Sequence, residues 1–382
     1  MVMKPILKLL ITFLVLIIVS CTNKDSDLII ADAFPDSLKV KIDEAIQQSL
    51  IETNAPGVTV GIWIDDLGSY STSAGISNIM NNALMETNMH FRVGSITKTF
   101  TAIAVLQLVD DNLISLDEPI QSYLPEKNIP RGDEITVRML GNMTSGLFSY
   151  TFDSIFQLEY FGNPNKEWLP DSLLARAFSH PNLFDPGTDF YYCNTNTVIL
   201  GLLLEKMTNK TVAQVFEDRI FKPLSLNNTT WPWGSFLPQP YSHGYTMQTL
   251  DGLMADATYW NPSWSFTAGQ LISNIDDLKI HIESISTGSL ISEEMYEEQR
   301  QWIVIPSKGS YGFGIAEMNG WLGHTGSIPG YNTIMYKNKE QGVTIVLNVN
   351  SDIHTVNGDA PANIFFQHLA EVLTPDKTPF QN

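Results

Sequence analysis

The sequence has little charge and almost no cysteine for its length. Only 16% of its 382 residues are charged, below the roughly 25% of an average globular chain. Its two cysteines, Cys21 and Cys193, exclude a disulfide framework. Positive charge is scarcest: the sequence has 22 Lys and Arg but 41 Asp and Glu, which gives a net charge of −19. Because binding to nucleic acid needs a basic patch and none is present, we expect no nucleic-acid partner.

Several motifs with well-defined chemistry are also missing. The sequence contains no G-x-S-x-G elbow, no H-E-x-x-H zinc motif, no phosphate-binding G-x-x-x-x-G-K-[ST] loop and no C-x-x-C pair. Its seven histidines are scattered along the chain. We therefore expect neither a cofactor nor a metal.

The N-terminal region has the features of a targeting segment followed by a tether. Two lysines precede an apolar run over residues 9–19, which suits a signal peptide and is too short to span a bilayer. The stretch IVSC, ending at Cys21, resembles a bacterial lipobox, in which the cysteine is acylated after cleavage. We predict a lipoprotein signal peptide over residues 1–20 and a polar tether over 21–34. The protein would then be lipid-anchored in the bacterial cell envelope, periplasmic or at the cell surface; an ordinary signal peptide is the alternative.

Strands are predicted near both ends of the remaining chain and helices in its centre. The β-branched stretch 56–64 and the strand–turn–strand pattern of 331–350 predict buried strands. Three apolar-rich stretches, 96–113, 195–210 and 212–224, are predicted to be helices. We therefore expect an α+β fold. Its antiparallel sheet would be built from N- and C-terminal segments and flanked by helices, with a central, mostly helical subdomain over about 105–300. This single domain would span 35–373, and residues 374–382 would form a tail.

The stretch FRVGSITKTF places Ser95 and Lys98 three positions apart at the start of the first central helix. Residues at this spacing lie on one face of a helix. A serine becomes nucleophilic when a neighbour takes its proton, and a lysine can do so if burial or positive charge lowers its pKa. By itself, the pattern favours an N-cap serine and a solvated lysine over a catalytic pair.

Two further segments reverse that balance. FDPGTDFYYCNTN contains Tyr192 and Asn194 just before a predicted helix, and GHTGSIPGY places His-Thr-Gly, starting at His324, before the last strand pair. With Ser-x-x-Lys, Tyr-x-Asn and His-Thr-Gly in this order, the chain resembles the penicillin-recognising serine hydrolases. This family includes class C β-lactamases, serine D-alanyl-D-alanine carboxypeptidases and related esterases. LQLVDDNLISLDEPIQSYLP, MTSGL and YGFGI also match, and His-Thr-Gly is typical of the carboxypeptidase branch.

The resemblance implies a role for each residue of the first two motifs. Ser95 would be the nucleophile that accepts the acyl group, and Lys98 would hold or relay its proton. Tyr192, as a phenolate or as a proton relay, would protonate the leaving group. Asn194 would orient Lys98 and donate to the amide carbonyl of the substrate. Cys193 would point away from these neighbours, since side chains alternate along an extended segment, and we interpret it as a packed residue.

The resemblance places the opposite wall of the site on the strand that carries His-Thr-Gly. His324 and Thr325 would line it, and the backbone N–H groups of Ser95 and Ser327 would form the oxyanion hole. Trp264 would supply an apolar wall for an uncharged acyl or leaving group.

The sequence departs from the carboxypeptidase branch at one position. An arginine that meets the terminal carboxylate of the substrate follows the Tyr-Gly-x-Gly segment in that branch, whereas this chain has Ala316 and Glu317. A carboxylate would lose its partner and could meet an acid, although Thr325, Ser327 and a protonated His324 could compensate in part. We therefore predict weak discrimination in favour of a free carboxylate.

These observations predict a serine hydrolase that works through an acyl-enzyme. Its substrate would be a D-Ala-D-Ala-type peptide, a β-lactam or a small ester or amide, with carboxypeptidase-like or esterase activity. A penicillin-binding envelope sensor or scaffold with little turnover, and a true class C-like β-lactamase, are the alternatives.

Overall fold

A computed structural model describes residues 34–306 and 308–380. The predicted signal peptide, Cys21 and nearly all of the predicted tether lie outside the described residues. No helix within the described ranges is long and apolar enough to cross a membrane.

Thirteen strands occur in the described part of the chain. In chain order they are β1 Gly57–Ile64, β2 Gly68–Asn78, β3 Ala83–Leu84, β4 Phe91–Arg92, β5 Tyr245–Thr246, β6 Ala255–Asp256, β7 Ile272–Ser273, β8 Ile303–Ile305, β9 Gly309–Tyr311, β10 Ala316–Met318, β11 Trp321–Ile328, β12 Tyr331–Asn338 and β13 Val343–Val349. Nine of them form one sheet in the order β3-β2-β1-β13-β12-β11-β10-β9-β8, with antiparallel neighbours throughout. The sheet therefore joins both ends of the chain through β1 and β13, as predicted.

Twelve α-helices accompany the strands in the same described ranges. They are α1 Asp36–Thr53, α2 Thr97–Asp110, α3 Ile120–Tyr123, α4 Val137–Gly141, α5 Ser154–Gly162, α6 Pro170–Phe178, α7 Asn194–Thr208, α8 Val212–Phe216, α9 Lys222–Leu224, α10 Ile275–Thr287, α11 Glu293–Gln299 and α12 Pro361–Leu373. Nine of them, α2 to α10, begin between residues 97 and 275. The predicted α+β fold with a mostly helical centre is therefore confirmed.

The two faces of the sheet bury different cores. On β13, Ile345 and Leu347 pack with α1 and α12, whereas Val346 between them belongs to the core of the helical subdomain. This division follows from the alternation of side chains along a strand. In α12, Phe366 stacks on Tyr336 and meets the edge of Trp321.

Helix α2 lies at the centre of the helical subdomain. Eleven of its 14 residues are buried, so it is enclosed on nearly all sides rather than along one stripe. A helix in such surroundings holds its first turn in a fixed position, and that turn begins beside Ser95.

The C-terminal segment packs against the sheet, so the interpretation of residues 374–382 as a tail is wrong for the part that is described. The indole N–H of Trp321 donates to the Lys377 carbonyl at 2.6 Å, and the Asn319 side chain donates to the Thr378 carbonyl at 2.8 Å. Phe380 adds its ring to the core formed with α12. The sequence stretch is polar and ends in proline-containing turns, which is why its pattern predicts no packing.

Candidate active site

The nucleophile turn lies directly against strand β11. Ser95 sits in a 3₁₀ turn, Gly94–Ile96, that leads into α2. Gly94 has φ +54°, and a Cβ atom there would lie 2.7 Å from the backbone nitrogen of Ser327. Glycine is therefore needed both for the left-handed backbone and for the close approach. The result is that the Ser95 and Ser327 backbones stand side by side.

Ser95 and Lys98 are brought together as predicted. The Lys98 ammonium nitrogen lies 3.0 Å from Ser95 Oγ and 2.7 Å from the carbonyl oxygen of Ala268. Lys98 is only 1% exposed, and this burial lowers its pKa from 10.5 to about 7, against the opposing effect of Cys193. A substantial fraction of Lys98 is therefore a neutral amine near neutral pH. In that form it can accept the hydroxyl proton of Ser95.

Tyr192 occupies the other side of the pair. Its ring centre lies 4.9 Å from Lys98 Nζ, and its buried hydroxyl makes no well-formed hydrogen bond within the described residues. Burial raises the pKa of Tyr192 well above 10, although Ser95 lies near enough to oppose that rise. Of the two forms that the sequence left open, the structure favours the neutral phenol and hence the proton relay.

The Asn194 side chain does not make the contact with Lys98 that was predicted for it. It begins α7, and its side-chain amide donates to Thr151 Oγ1 at 3.3 Å, while its backbone N–H donates to Ser149. The carbonyl of Ala268, not the Asn194 side chain, fixes Lys98. The expectation that Asn194 orients Lys98 is therefore wrong in this structure, but Asn194 does line the cavity over Ser95.

Cys193 is a packed residue, as predicted. Its side chain is buried, and the thiol donates to the Leu147 carbonyl at 3.3 Å. Burial raises the pKa of this thiol to about 11, so it stays protonated and a poor nucleophile.

The part of β11 that has β12 on one side but no β10 partner on the other forms the opposite wall. Strand β10 pairs with β11 only from Trp321 to Gly323, so the rest of that edge faces the nucleophile turn. A Cβ atom on Gly326 would lie 1.9 Å from the Val93 carbonyl, which shows how closely the two backbones pass. Thr325 and Ser327 both line the cavity, as the resemblance implied.

His324 is neutral and cannot provide a positive charge. It is 3% exposed, and burial, followed by the nearby Lys98, lowers its pKa to about 3. The Tyr311 hydroxyl lies 3.0 Å from its Nε2, and its Nδ1 faces the Thr325 carbonyl. Since a carbonyl only accepts, Nδ1 carries the proton and Nε2 accepts from Tyr311. The expectation that a protonated His324 could attract a carboxylate is therefore wrong.

Tyr311 is a member of the site that the sequence analysis missed as a functional residue. It holds His324 and packs edge-on against Tyr192, with ring centres 5.9 Å apart. The only signal was its place at the start of YGFGI, which sequence reasoning used as a flanking match alone.

The cavity above Ser95 has a volume of about 1350 Å³. Aromatic side chains dominate one side of it: Phe152, Phe190, Tyr191, Tyr192 and Tyr311. Residues from β10, the turn after it, α12 and the C-terminal segment close the other side: Ala316, Met318, Asn319, Asn363, Pro379 and Phe380.

Trp264 is not part of the cavity wall, so its predicted role is wrong. Its ring packs between Phe156 and Tyr160, and its carbonyl accepts from the Tyr150 hydroxyl at 2.8 Å. An aromatic cluster behind the cavity thus uses the side chain that the sequence analysis assigned to substrate. Phe152 and Tyr191 supply the apolar wall instead.

Together these groups can transfer an acyl group through a serine. Ser95 would supply the attacking oxygen, Lys98 a base of suitable pKa and Tyr192 a proton relay, and the backbone N–H groups of Ser95 and Ser327 would be the donors to an oxyanion. Within residues 34–306 and 308–380, no group of His, Cys, Asp and Glu side chains could hold a metal ion.

The family of the chain follows from comparison with known proteins. The family model described as Beta-lactamase matches residues 42–367, so the chain belongs to that family. The structure of a D-stereospecific amidohydrolase from Streptomyces sp. is 30% identical, with a TM-score of 0.77, and the match covers 87% of this chain and 98% of that one.

Two curated bacterial proteins are more distant relatives. Protein flp of Staphylococcus aureus (strain MW2) is 22% identical over 324 residues, covering 82% of this chain and 63% of its own. The putative penicillin-binding protein PbpX of Bacillus subtilis (strain 168) is 26% identical over 273 residues, covering 70% and 63%. The matches therefore span less than two thirds of the length of these relatives.

Proposed function

We propose that this protein is a serine hydrolase that cleaves amide or ester bonds through an acyl-enzyme on Ser95. The observation that carries the proposal is the contact of 3.0 Å between Ser95 Oγ and a buried lysine whose pKa is about 7. An exposed lysine with a pKa near 10.4 would be almost fully protonated at neutral pH and could not take the proton.

Acylation would proceed by a balanced exchange of protons. Neutral Lys98 takes the proton of Ser95 as Oγ attacks the carbonyl carbon, and the Ser95 and Ser327 N–H groups stabilise the oxyanion. As the intermediate collapses, the bond to the leaving group breaks and the Tyr192 phenol protonates that group. Lys98 returns a proton to Tyr192. In deacylation a water molecule attacks the ester carbonyl, gives its proton through the same residues, and Ser95 leaves as the hydroxyl.

The proposed substrates are D-amino acid amides, D-Ala-D-Ala-type peptides and small esters. The amidohydrolase from Streptomyces sp. supports a D-configured amide, because its identity of 30% extends over nearly the whole domain. The aromatic side of the cavity suits an apolar side chain of such a substrate. Carboxypeptidase-like or esterase activity within this class remains our leading proposal.

A penicillin-binding sensor or scaffold with little turnover is the second candidate. The similarity to a putative penicillin-binding protein favours it, because penicillins acylate serines of this kind without requiring fast hydrolysis.

We further propose that a lipid on Cys21 anchors the protein in the cell envelope. Metabolic labelling with an alkyne fatty acid tests the anchor: wild type should be labelled and Cys21→Ala should not.

One experiment separates the candidates. Purified wild type and Ser95→Ala are incubated with a fluorescent penicillin and, in parallel, with a D-phenylalanine amide and a chromogenic acetate ester. Turnover of amide or ester by wild type alone supports the hydrolase, whereas labelling of wild type without turnover of either supports the sensor. Equal turnover by Ser95→Ala would contradict both.

A further inference from the structure

The cavity differs in charge from the chain as a whole. Although the chain has a net charge of −19, none of the described residues that line the cavity is Asp or Glu. Lys308, exposed at the mouth, is the one Lys or Arg among these lining residues. Lys98 lies buried beneath the cavity, hydrogen-bonded to Ser95, and is not a lining residue. Lys308 forms no ion pair with another residue in the described part of the chain.

Glu317 is the acid that the sequence placed nearest to this region, yet it is turned away. Its neighbours on β10, Ala316 and Met318, line the cavity, and a residue between two such neighbours points to the other face of the sheet. The Glu317 carboxylate accepts a hydrogen bond from the Gly320 N–H at 2.6 Å. The expectation that a substrate carboxylate could meet this acid is therefore wrong.

Lys308 is positioned by a tight contact with the same strand. It precedes Gly309, which has φ +93° and whose added Cβ would lie 2.2 Å from the Glu317 carbonyl. The Lys308 N–H donates to the Ile305 carbonyl at 3.0 Å, and both Ile305 and Gly309 line the cavity. The turn thus fixes the backbone at Lys308 beside β10, and the Lys308 side chain lines the cavity.

The charges determine which substrates fit. An ammonium group near the mouth finds no carboxylate among the described lining residues and is repelled by Lys308. A carboxylate near the mouth gains Lys308, but an exposed pair is weak and screened by salt. The preference is therefore expected to be modest.

We propose that the cavity selects its substrates by charge and that Lys308 is the specificity-determining residue. Substrates with a carboxylate beyond the scissile bond are favoured, and those with a cationic group there are disfavoured. This inference rests on the proposed hydrolase function. The favoured substrates are therefore amides or esters whose leaving group is anionic or neutral.

The test uses three esters of N-acetyl-D-alanine that differ in the charge of the alcohol: lactate, lactamide and choline. Because each enzyme variant is compared with wild type on the same ester, differences in size between the alcohols cancel. Lys308→Glu should lower kcat/KM for the lactate ester about fivefold, leave lactamide unchanged and raise choline by a similar factor. Lys41→Glu, on the exposed side of α1 and outside the cavity, is the matched control and should change none of the three.

The outcomes distinguish this inference from the proposed function. The Lys308→Glu effects should shrink when salt is raised from about 20 to about 500 mM, since the Debye length falls severalfold. Equal changes for all three esters, or none, would overturn the role of Lys308 while leaving the hydrolase intact. If wild type turned over none of the esters, the proposed function would fail and this inference with it.

Discussion

The base and the mouth of the cavity differ in burial: the base is enclosed, whereas the mouth is exposed to solvent. At the base, Lys98 and His324 are almost fully buried, and burial is the main cause of their lowered pKa values. At the mouth, Lys308 is exposed and the Phe152 side chain is 62% exposed. The base can therefore change the pKa of its groups by several units, whereas the mouth can offer only screened charges and apolar surface. We infer that chemistry depends on the base and selectivity on the mouth.

The sharpest test of this comparison removes the nucleophile. Ser95→Ala should abolish labelling by penicillin and lower turnover at least about a thousandfold, because residues that act as one unit fail together. The melting temperature should hardly change, since the Ser95 side chain caps no helix. Ser69→Ala, at an exposed position of β2, is the control. Labelling that persisted at another residue would overturn the assignment of Ser95.

A nearly equal loss is expected from the proton relay. Tyr192→Phe should slow acylation by about 10²–10⁴, the usual range for a general acid. Stability should stay the same or rise slightly, because the buried hydroxyl has no well-formed hydrogen bond to lose in the described structure. Pre-steady-state kinetics and thermal unfolding measure the two effects. An unchanged acylation rate would assign the relay to another group.

The pH dependence tests the burial of Lys98 directly. Because the neutral amine is the active form, kcat/KM for a neutral ester should rise as pH increases through about 7 and then level off. The pKa of His324, lowered to about 3, places its titration outside this window. Lys98→Arg keeps the charge but cannot lose its proton, so the rise should vanish. A midpoint above about 9 would show that burial does not lower the pKa of Lys98.

A smaller effect, a loss of stability, is expected when the hydrogen bond between Tyr311 and His324 is removed. Tyr311→Phe removes the donor to His324 Nε2 and leaves that buried nitrogen without its partner, at a cost of about 1–3 kcal/mol in the free energy of unfolding. Denaturant unfolding measures it. Tyr123→Phe, whose hydroxyl accepts from the exposed Ser115 N–H, should cost less. If the two variants lost equal stability, the buried Tyr311–His324 hydrogen bond would stabilise the protein no more than the exposed one.

The smallest effect belongs to the mouth. Phe152→Ala removes a largely exposed side chain, so we expect less than about a threefold change in kcat/KM for a small acetate ester and an unchanged melting temperature. A loss as large as that of Tyr192→Phe would break the division between base and mouth.

The sequence predicted the parts of the site that depend on short spacing. Three positions within one helix are enough to bring Lys98 to Ser95, and the motif order placed β11 opposite. The role of Asn194 could not be predicted, because its partner Thr151 comes from a separate loop. Likewise, the aromatic cluster that holds Trp264 includes a residue about a hundred positions away, Tyr160. Such contacts depend on how the loops pack, which a local pattern does not encode.

The fold was predicted at the level of the sheet and its helices, and the reason is again physical. Runs of β-branched or apolar residues report burial directly, as in β1 and in α2, which is buried on nearly all sides. The C-terminal segment was misread because backbone carbonyls hold it, those of Lys377 and Thr378. Every residue has such a carbonyl, so these bonds have no signature in the sequence.

The pairing of β1 with β13 has a consequence for how the protein is made. A ribosome releases β1 and its partner β2 early, but its other partner, β13, emerges only after the entire helical subdomain. Contacts between such distant segments slow folding and leave strand edges open in the meantime. Ser95 is likewise synthesised long before β11, whose Ser327 completes the proposed oxyanion hole. A nascent or truncated chain that lacks β11 would therefore be unreactive, and acylation by a penicillin could report when synthesis and folding are complete.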